Sequence, residues 1–146
     1  MMVDVQTETV VNQPIERVSA FAADPDNTTK WYANIKRIEW ETEPPARAGT
    51  QLAFEAHFLG RKLVYTYEIA EFAPGERLVM HTAQGPFPME TTYTWAAISP
   101  TATRMTLRNR GNPSGFSRLF APFMSMAMRR ANSKDLAKLK KLLESN

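Results

Sequence analysis

The sequence contains no cysteine and only two histidines, His57 and His81. Without a thiol the chain has no means of forming a disulfide, a thiolate nucleophile, an iron–sulfur cluster or a zinc ribbon. Both histidines fall on the polar faces of predicted strands, where a histidine is more often a surface residue than a catalytic base. Any metal centre built from protein ligands would depend on carboxylates, and no metal site is predicted.

Long apolar runs and nucleotide-binding motifs are also missing. The longest apolar stretch, residues 120–128, is interrupted by Pro122 and Ser125, so it falls short of the roughly 20 residues of a membrane-spanning helix. Residues 1–8 include an early acid and no apolar core, unlike a signal peptide, so a cytoplasmic location is the expected default. Glycine-rich dinucleotide and phosphate loops, the hydrolase elbow and the zinc-protease motif are absent, and no cofactor is predicted.

What is present is the composition of one ordinary globular domain spanning residues 1–146, 43% hydrophobic and 23% charged. The net charge of +3 is unevenly distributed. Residues 1–100 hold eight basic and thirteen acidic residues, whereas residues 101–146 hold ten and two. The basic end either forms the solvent face of a C-terminal helix or attracts phosphate, an anionic membrane surface or an acidic partner. Its residues are Arg129, Arg130, Lys134, Lys138, Lys140 and Lys141.

Turn signals rich in proline and glycine divide residues 44–113 into short segments in which apolar and polar residues alternate. Such alternation is typical of half-buried strands joined in an antiparallel meander. Two further strands are predicted at residues 3–11 and around residues 38–40, with a short helix from Pro14 to about Asp24 between them. The predicted inward positions are Leu52, Phe54, Ala56, Phe58, Leu63, Tyr65, Tyr67, Ile69, Leu78, Met80, Tyr93, Trp95, Met105 and Leu107.

A long helix is predicted from Ser114 or Gly115 to Leu143, with apolar residues at helical spacing throughout. Pro122 lacks a backbone donor and predicts either a kink or a late helix start. The sequence therefore predicts an α+β fold in which an antiparallel sheet packs on a long C-terminal helix. Basic residues concentrate on this helix while aromatic residues alternate inward on the strands, so no nucleic-acid partner is expected.

Large, adaptable apolar side chains occupy an unusual share of the inward positions. The chain has eight methionines, and thioethers suit pockets that reshape around varied ligands. An ordinary packed core would have a similar composition, but inward tyrosine, tryptophan and asparagine side chains need polar partners. Such groups are favoured around a ligand-filled space. The predicted cavity residues are Phe54, Phe58, Tyr65, Tyr67, Met80, Tyr93, Trp95, Met105, Leu107, Asn109, Phe120, Phe123, Met124 and Met128.

Several short sequence segments resemble those of one known superfamily. They are Asp24-Pro25-Asp26-Asn27 followed by Trp31, residues 71–78, Tyr93-Thr94-Trp95, Thr103-Arg104-Met105-Thr106-Leu107, and residues 135–140. Together they resemble the START/Bet v 1-like (SRPBCC) superfamily, and within it the polyketide cyclase/dehydrase and lipid-transport branch.

The resemblance implies a helix-grip fold. In this fold a curved antiparallel sheet of about seven strands wraps around a long C-terminal helix, with two short helices after the first strand. It also implies a cavity for lipids, polyketides or other hydrophobic compounds, and Trp31 joins the predicted cavity residues on this basis.

Three functions are consistent with the sequence. The first is binding of a small hydrophobic molecule, such as a lipid, polyketide or isoprenoid-like compound, by a carrier or sequestering protein. The second is a polyketide cyclase or dehydratase, in which Tyr65, Tyr67 or Tyr93 donates a hydrogen bond to an enolate. The third is an interaction module that uses the basic C-terminal helix, for example on an anionic membrane. No catalytic set is found, and the oligomeric state is left open.

Overall fold

The computed structural model describes residues 3–58, 60–84, 88–112 and 121–145, with backbone only for Phe58 and Ala121. Seven strands and three α-helices are present in these ranges. In chain order they are β1 (Val3–Val11), α1 (Ile15–Ala23), a 3₁₀ turn (Pro25–Asn27), α2 (Thr28–Trp31), β2 (Ile35–Trp40), β3 (Gln51–Phe58), β4 (Arg61–Ala73), β5 (Arg77–Gln84), β6 (Met89–Ser99), β7 (Ala102–Gly111) and α3 (Ala121–Glu144).

The seven strands form one antiparallel sheet in the order β1-β7-β6-β5-β4-β3-β2. Neighbours in the sheet are neighbours in sequence, except that β1 pairs with β7 from Val3 opposite Gly111 to Val11 opposite Thr103. β4 is 13 residues long, and its pairing with β5 shifts at Thr66/Tyr67 and again at Ile69/Glu71. Bulges of this kind bend a strand and increase its twist. The result is the curled sheet of the predicted helix-grip fold, which is confirmed.

The short elements after β1 follow from local sequence. Pro14 occupies the N-cap position of α1, where its missing N–H removes no helical hydrogen bond, and Glu16 complements the positive end of the helix. After α1, the Asp24 carboxylate accepts a hydrogen bond from the Asp26 N–H at 3.0 Å and caps the 3₁₀ turn. α2 follows directly and ends at Trp31, which is fully buried.

α3 packs along β1 and is attached to it by two polar contacts, one near the middle of the helix and one near its C-terminal end. The Arg129 guanidinium donates to the Gln6 carbonyl at 3.0 Å, and the Lys140 ammonium donates to the Val10 carbonyl at 2.8 Å. Pro122 lies in the first turn of the described helix, where proline is tolerated. The predicted starts at Ser114 and Gly115 lie outside the described residues. Within the described ranges no helix is both long and apolar enough to cross a membrane.

The buried apolar residues form two clusters rather than one. The larger contains Trp31, Tyr93 and Leu139 together with most inward residues of β3 to β7. The smaller contains Tyr65, Met89, Met124 and Met128 with their neighbours, and Tyr67 contacts both clusters. Most of the inward positions predicted from alternation are buried, with Tyr67 and Ala56 partly exposed. Tyr67 is therefore the side chain through which the two clusters meet.

Candidate functional site

Two adjacent chambers with shared wall residues lie inside the curled sheet. The sheet chamber, about 120 Å³, lies between the strands β3 to β6 and the segment α1–α2, and it includes Phe54, Ile69 and Met80. The helix chamber, also about 120 Å³, lies between the sheet and α3 and includes Leu63, Met89 and Met128. Residues that line both chambers are Tyr32, Ile35, Ala56, Tyr65, Tyr67 and Asn109.

The combined space is small for a ligand site, because pockets for drug-sized molecules begin at about 300 Å³. Methionine side chains form part of the walls of both chambers. Met80 lines the sheet chamber, and Met89 and Met128 line the helix chamber. An unbranched thioether changes rotamer at low cost. A change of rotamer at these three methionines would therefore widen the chambers at low cost.

The predicted cavity residues separate into several groups. Six line the sheet chamber, and Met128 lines the helix chamber. Four others, Trp31, Trp95, Met105 and Leu107, are buried in the larger core cluster and line neither chamber. Met124 is buried in the smaller cluster, while the Phe58 side chain and Phe120 lie outside the described parts of the chain. The six sheet-chamber residues are Phe54, Tyr65, Tyr67, Met80, Tyr93 and Asn109.

Phe123 has an orientation different from the one predicted. Helical spacing placed it on the inward face, but it is 67% exposed and lines a groove on the outer side of α3. The helix docks through Met124, Met128, Leu136 and Leu139, which are all buried. Position 123 is one residue, or about 100°, before Met124, which turns it towards solvent.

Buried hydroxyl groups supply part of the polar surface of the chambers. The Tyr32 and Tyr93 hydroxyls are 2.7 Å apart and share a hydrogen bond. Burial, followed by the neighbouring Tyr93, raises the pKa of Tyr32 well above its usual value of 10. Burial also raises the pKa of Tyr67 to about 12 and those of Tyr65 and Tyr93 further. At neutral pH these phenols are therefore protonated and act as hydrogen-bond donors or acceptors, not as bases.

A second polar pair lies on the sheet. The Thr91 hydroxyl donates to the Asn109 side-chain oxygen at 2.6 Å, and both residues are buried. Asn109 was predicted from its inward phase after Met105 and Leu107. Thr91 was missed, although it precedes the predicted inward residue Tyr93 by two positions on β6, and that spacing was the available signal.

The polar residues contributed by α3 were not predicted. Asp135 is 3% exposed and accepts a hydrogen bond from the Ala33 N–H at 3.0 Å. Burial raises the pKa of its carboxyl group to about 6, although the bond from Ala33 and the nearby Lys138 and Lys134 act in the opposite direction. Asn132 is 5% exposed, and its amide nitrogen has no hydrogen-bond partner. Asn132 and Asp135 each precede a predicted apolar residue, Leu136 or Leu139, by four residues. This helical spacing could have indicated that both face the sheet.

The two histidines lie outside both chambers. His57 has a side chain that is 51% exposed and lies 3.9 Å from the Glu55 carboxylate, and His81 lines a shallow surface groove near Pro88. Among the described residues there is no group of three or more histidine, aspartate or glutamate side chains able to hold a metal ion. The chemistry available inside the chambers is therefore hydrogen bonding by neutral hydroxyl and amide groups, with one carboxyl group at the α3 side.

Comparison with known proteins gives a family match and several similar folds. The family model described as polyketide cyclase / dehydrase and lipid transport matches residues 2–144. No curated protein matches the chain. The Zhui aromatase/cyclase from Streptomyces sp. R1128 is 14% identical with a TM-score of 0.84, over 99% of this chain and 94% of that one.

Two further solved structures have the same fold. A START superfamily protein from Mycobacterium smegmatis is 15% identical with a TM-score of 0.83, over 97% of both chains. Ara h 8.0201 is 12% identical with a TM-score of 0.73, over 100% of both chains. At these identities the three structures establish a shared fold, and the family match covers nearly the whole sequence.

Proposed function

The chain belongs to the polyketide cyclase/dehydrase and lipid transport family, and from this we propose that it binds a small hydrophobic ligand in its two chambers. The ligand is of the lipid, polyketide or isoprenoid-like class, and the protein acts as its carrier or sequesters it. The observation that carries this proposal is the pair of chambers inside the sheet, where tyrosine, threonine and asparagine groups interrupt otherwise apolar walls. Sites for small hydrophobic molecules combine these features.

Filling the chambers tests the proposal. Ala56 lies on β3 and lines both chambers, so Ala56→Trp is expected to lower the affinity for a neutral apolar dye, N-phenyl-1-naphthylamine, by at least about tenfold, or 1.4 kcal/mol. The control is Ala53→Trp, which adds the same bulk to the opposite face of the same strand. Affinity is measured by fluorescence titration. Equal affinity of a folded Ala56→Trp protein and the wild type would show that the dye does not enter the chambers.

An enzyme of the cyclase or dehydratase type is the second candidate. The observation that favours it is the buried Tyr32–Tyr93 hydroxyl pair, which supplies a neutral hydrogen-bond donor of the kind that stabilises a developing enolate. Native mass spectrometry of protein purified without detergent separates the two functions. A carrier releases the retained compound unchanged after incubation, whereas an enzyme converts it to a product of different mass.

A further inference from the structure

The helix chamber contains a hydrogen-bond donor that the protein itself leaves unused. Asn132 lies in the middle of α3, is 5% exposed and lines this chamber. Its side-chain nitrogen is buried without a partner. A buried amide N–H without an acceptor destabilises the folded protein, and buried side-chain donors are satisfied in most native structures. An acceptor supplied by a ligand would satisfy this group.

The tyrosine pair leaves a second donor available. Each phenol has one hydrogen to donate. In the Tyr32–Tyr93 contact only one of the two hydrogens lies between the oxygens, so the other can point to another acceptor. Tyr32 lines both chambers, and together with Asn132 it borders the helix chamber.

The charges around the chambers disfavour an anionic ligand. Asp135 is the only acidic or basic side chain among the described residues that line either chamber. The positive charge of Arg61 lowers the pKa of Tyr65, but Arg61 is exposed and lines neither chamber. A ligand carboxylate would therefore be desolvated without a cationic wall residue and close to the Asp135 carboxylate, which is unfavourable.

We propose that the ligand has a neutral carbonyl head group, such as a ketone or an ester, which accepts hydrogen bonds from Asn132 and from the Tyr32–Tyr93 pair. The apolar remainder of the molecule extends into the sheet chamber towards Phe54 and Met80. This inference rests on the proposed function and narrows its ligand class, because it favours neutral carbonyl compounds over free fatty acids. The preference for a neutral carbonyl comes from the Asn132 and tyrosine donors and from the negative charge of Asp135. It does not depend on the length of the ligand's apolar chain.

Three ligands of equal length and different head groups test the proposal. Decan-2-one, decanoate and decylamine compete with N-phenyl-1-naphthylamine at pH 8, where Asp135 is ionised. The ketone is expected to bind at least about tenfold more tightly than decanoate. Equal affinity for the ketone and decanoate would overturn the inference, as would tighter binding of the amine. If neither the dye nor any of the three ligands binds, the proposed function itself fails.

Variants of α3 assign the effect to residues. Asn132→Leu is expected to weaken ketone binding by about 3- to 10-fold more than it weakens dye binding, because the dye needs no hydrogen bond from this side chain. Ser133→Leu, the same kind of change at the exposed neighbouring position, is expected to change neither. Asp135→Asn is expected to reduce the preference for the ketone over decanoate, and it serves as the second variant if Asn132→Leu does not fold. Unchanged ketone affinity in a folded Asn132→Leu protein would contradict the assignment.

A separate feature, the outward face of α3, carries an independent inference. Phe123 and Met126 are 67% and 63% exposed, although both are large and apolar. They border an outer groove of about 440 Å³ that also includes Asn34 and Arg130. The outer groove shares Asn34, Ala131 and Asp135 with the helix chamber, so the exposed residues lie beside the cavity.

Basic residues continue the same face of the helix. Arg130, Lys134, Lys138 and Lys141 follow Phe123 and Met126 at intervals of three or four residues, and all four are exposed. The two acids of α3 add little exposed negative charge to this face. Asp135 is buried against Ala33, and Glu144 is bound to Lys140 at 2.7 Å. The described part of α3 therefore presents apolar side chains at one end and an uninterrupted row of cations along its outer face.

We infer that this face docks on an anionic membrane surface. Phe123 and Met126 would enter the boundary between head groups and acyl chains, and the four cations would contact lipid phosphates. Charge complementarity favours a bilayer as the partner. An anionic membrane has negatively charged head groups above apolar acyl chains, and this face of α3 has a row of cations beside the exposed Phe123 and Met126.

Vesicle sedimentation tests the docking. We expect binding to vesicles of phosphatidylcholine with phosphatidylglycerol, little binding to phosphatidylcholine alone, and loss of binding in high salt. Phe123→Ser/Met126→Ser is expected to reduce binding at least about tenfold, and Arg130→Gln/Lys134→Gln about fivefold for each charge. The control is Val64→Ser/Ile98→Ser, which removes exposed apolar residues from the sheet. Absence of binding at low salt, or binding unaffected by the α3 variants, would overturn the inference and favour an acidic protein partner for this face.

Discussion

Replacing Trp31 with alanine is expected to lower the free energy of unfolding by about 3–5 kcal/mol. Trp31 is 0% exposed, and its ring centroid lies 4.3 Å from that of Tyr32 and 5.7 Å from that of Tyr93. The substitution removes a large side chain at the point where α2 packs against the core, and the rigid sheet around it has limited freedom to close the gap. Urea unfolding followed by circular dichroism measures the change.

The control for this prediction is Trp31→Phe, which keeps an aromatic ring but removes the indole nitrogen. That nitrogen is buried without a hydrogen-bond partner, so its removal relieves an unsatisfied donor and offsets part of the lost packing. The expected loss is only about 1 kcal/mol. If Trp31→Ala lowers the free energy of unfolding by less than about 1 kcal/mol, the substitution leaves no cavity. That result would contradict the dense packing described for this region.

The second large effect is a dependence of stability on pH that originates in Asp135. Burial raises the pKa of its carboxyl group from 3.8 to about 6, so the folded protein binds this proton more tightly than the unfolded chain does. Protonation therefore favours folding. The contribution of Asp135 to stability is greatest below about pH 4, and it decreases as the pH rises through 6.

Asp135→Asn removes this titration while keeping an oxygen that can accept the hydrogen bond from Ala33. The variant is expected to resemble the wild type near pH 4 and to become more stable than it at higher pH, by about 2–3 kcal/mol above pH 7. Urea unfolding of both proteins between pH 4 and pH 8 measures the difference. A difference that stays constant across this range would show that the Asp135 carboxyl group has an ordinary pKa.

Asp4→Asn provides a control with the opposite sign. Asp4 is exposed and is paired with Arg108 at 2.7 Å, and this hydrogen-bonded guanidinium lowers the pKa of its carboxyl group. The stabilising effect of Asp4 is therefore present above its ordinary pKa and is lost as the pH falls below it. If the free energies of unfolding of both variants changed with pH in the same way, the change would be a general effect of removing a carboxyl group. Because the Asp4 carboxyl group titrates below its ordinary pKa of 3.8, Asp4→Asn is expected to differ from the wild type by a nearly constant free energy between pH 4 and pH 8. A difference that grows with pH only for Asp135→Asn would assign the effect to the environment of Asp135.

Local pattern predicted most of the sheet because side chains on a strand alternate between two faces. Leu52 and Phe54 on β3, and Leu63 and Tyr65 on β4, are buried as the alternation requires. The same rule brought Tyr93 and Asn109 into the predicted cavity, and both line the sheet chamber. Their polar groups were expected to need partners, and those partners are Tyr32 and Thr91.

Residues outside the sheet were harder to assign. Tyr32 follows the four-residue helix α2, which is too short for any periodicity to indicate a buried face. On α3, apolar character suggested that Phe123 faces inward, yet the docked helix exposes it and buries Asn132 and Asp135. The difference arises because the angle at which a helix meets a sheet depends on the fit of the whole interface, and single side chains do not determine it.

The sequence by itself determined the number of strands, the buried face of the five strands in the meander, the long C-terminal helix and the family to which the chain belongs. These properties follow from the backbone geometry of strands and helices and from recognisable strings. Only the tertiary structure decided which inward side chains border open space and which pack densely. It also brought Ala33 to Asp135 across 102 residues. Both outcomes depend on how the curled sheet and α3 leave space between them, and that space belongs to no single segment of the chain.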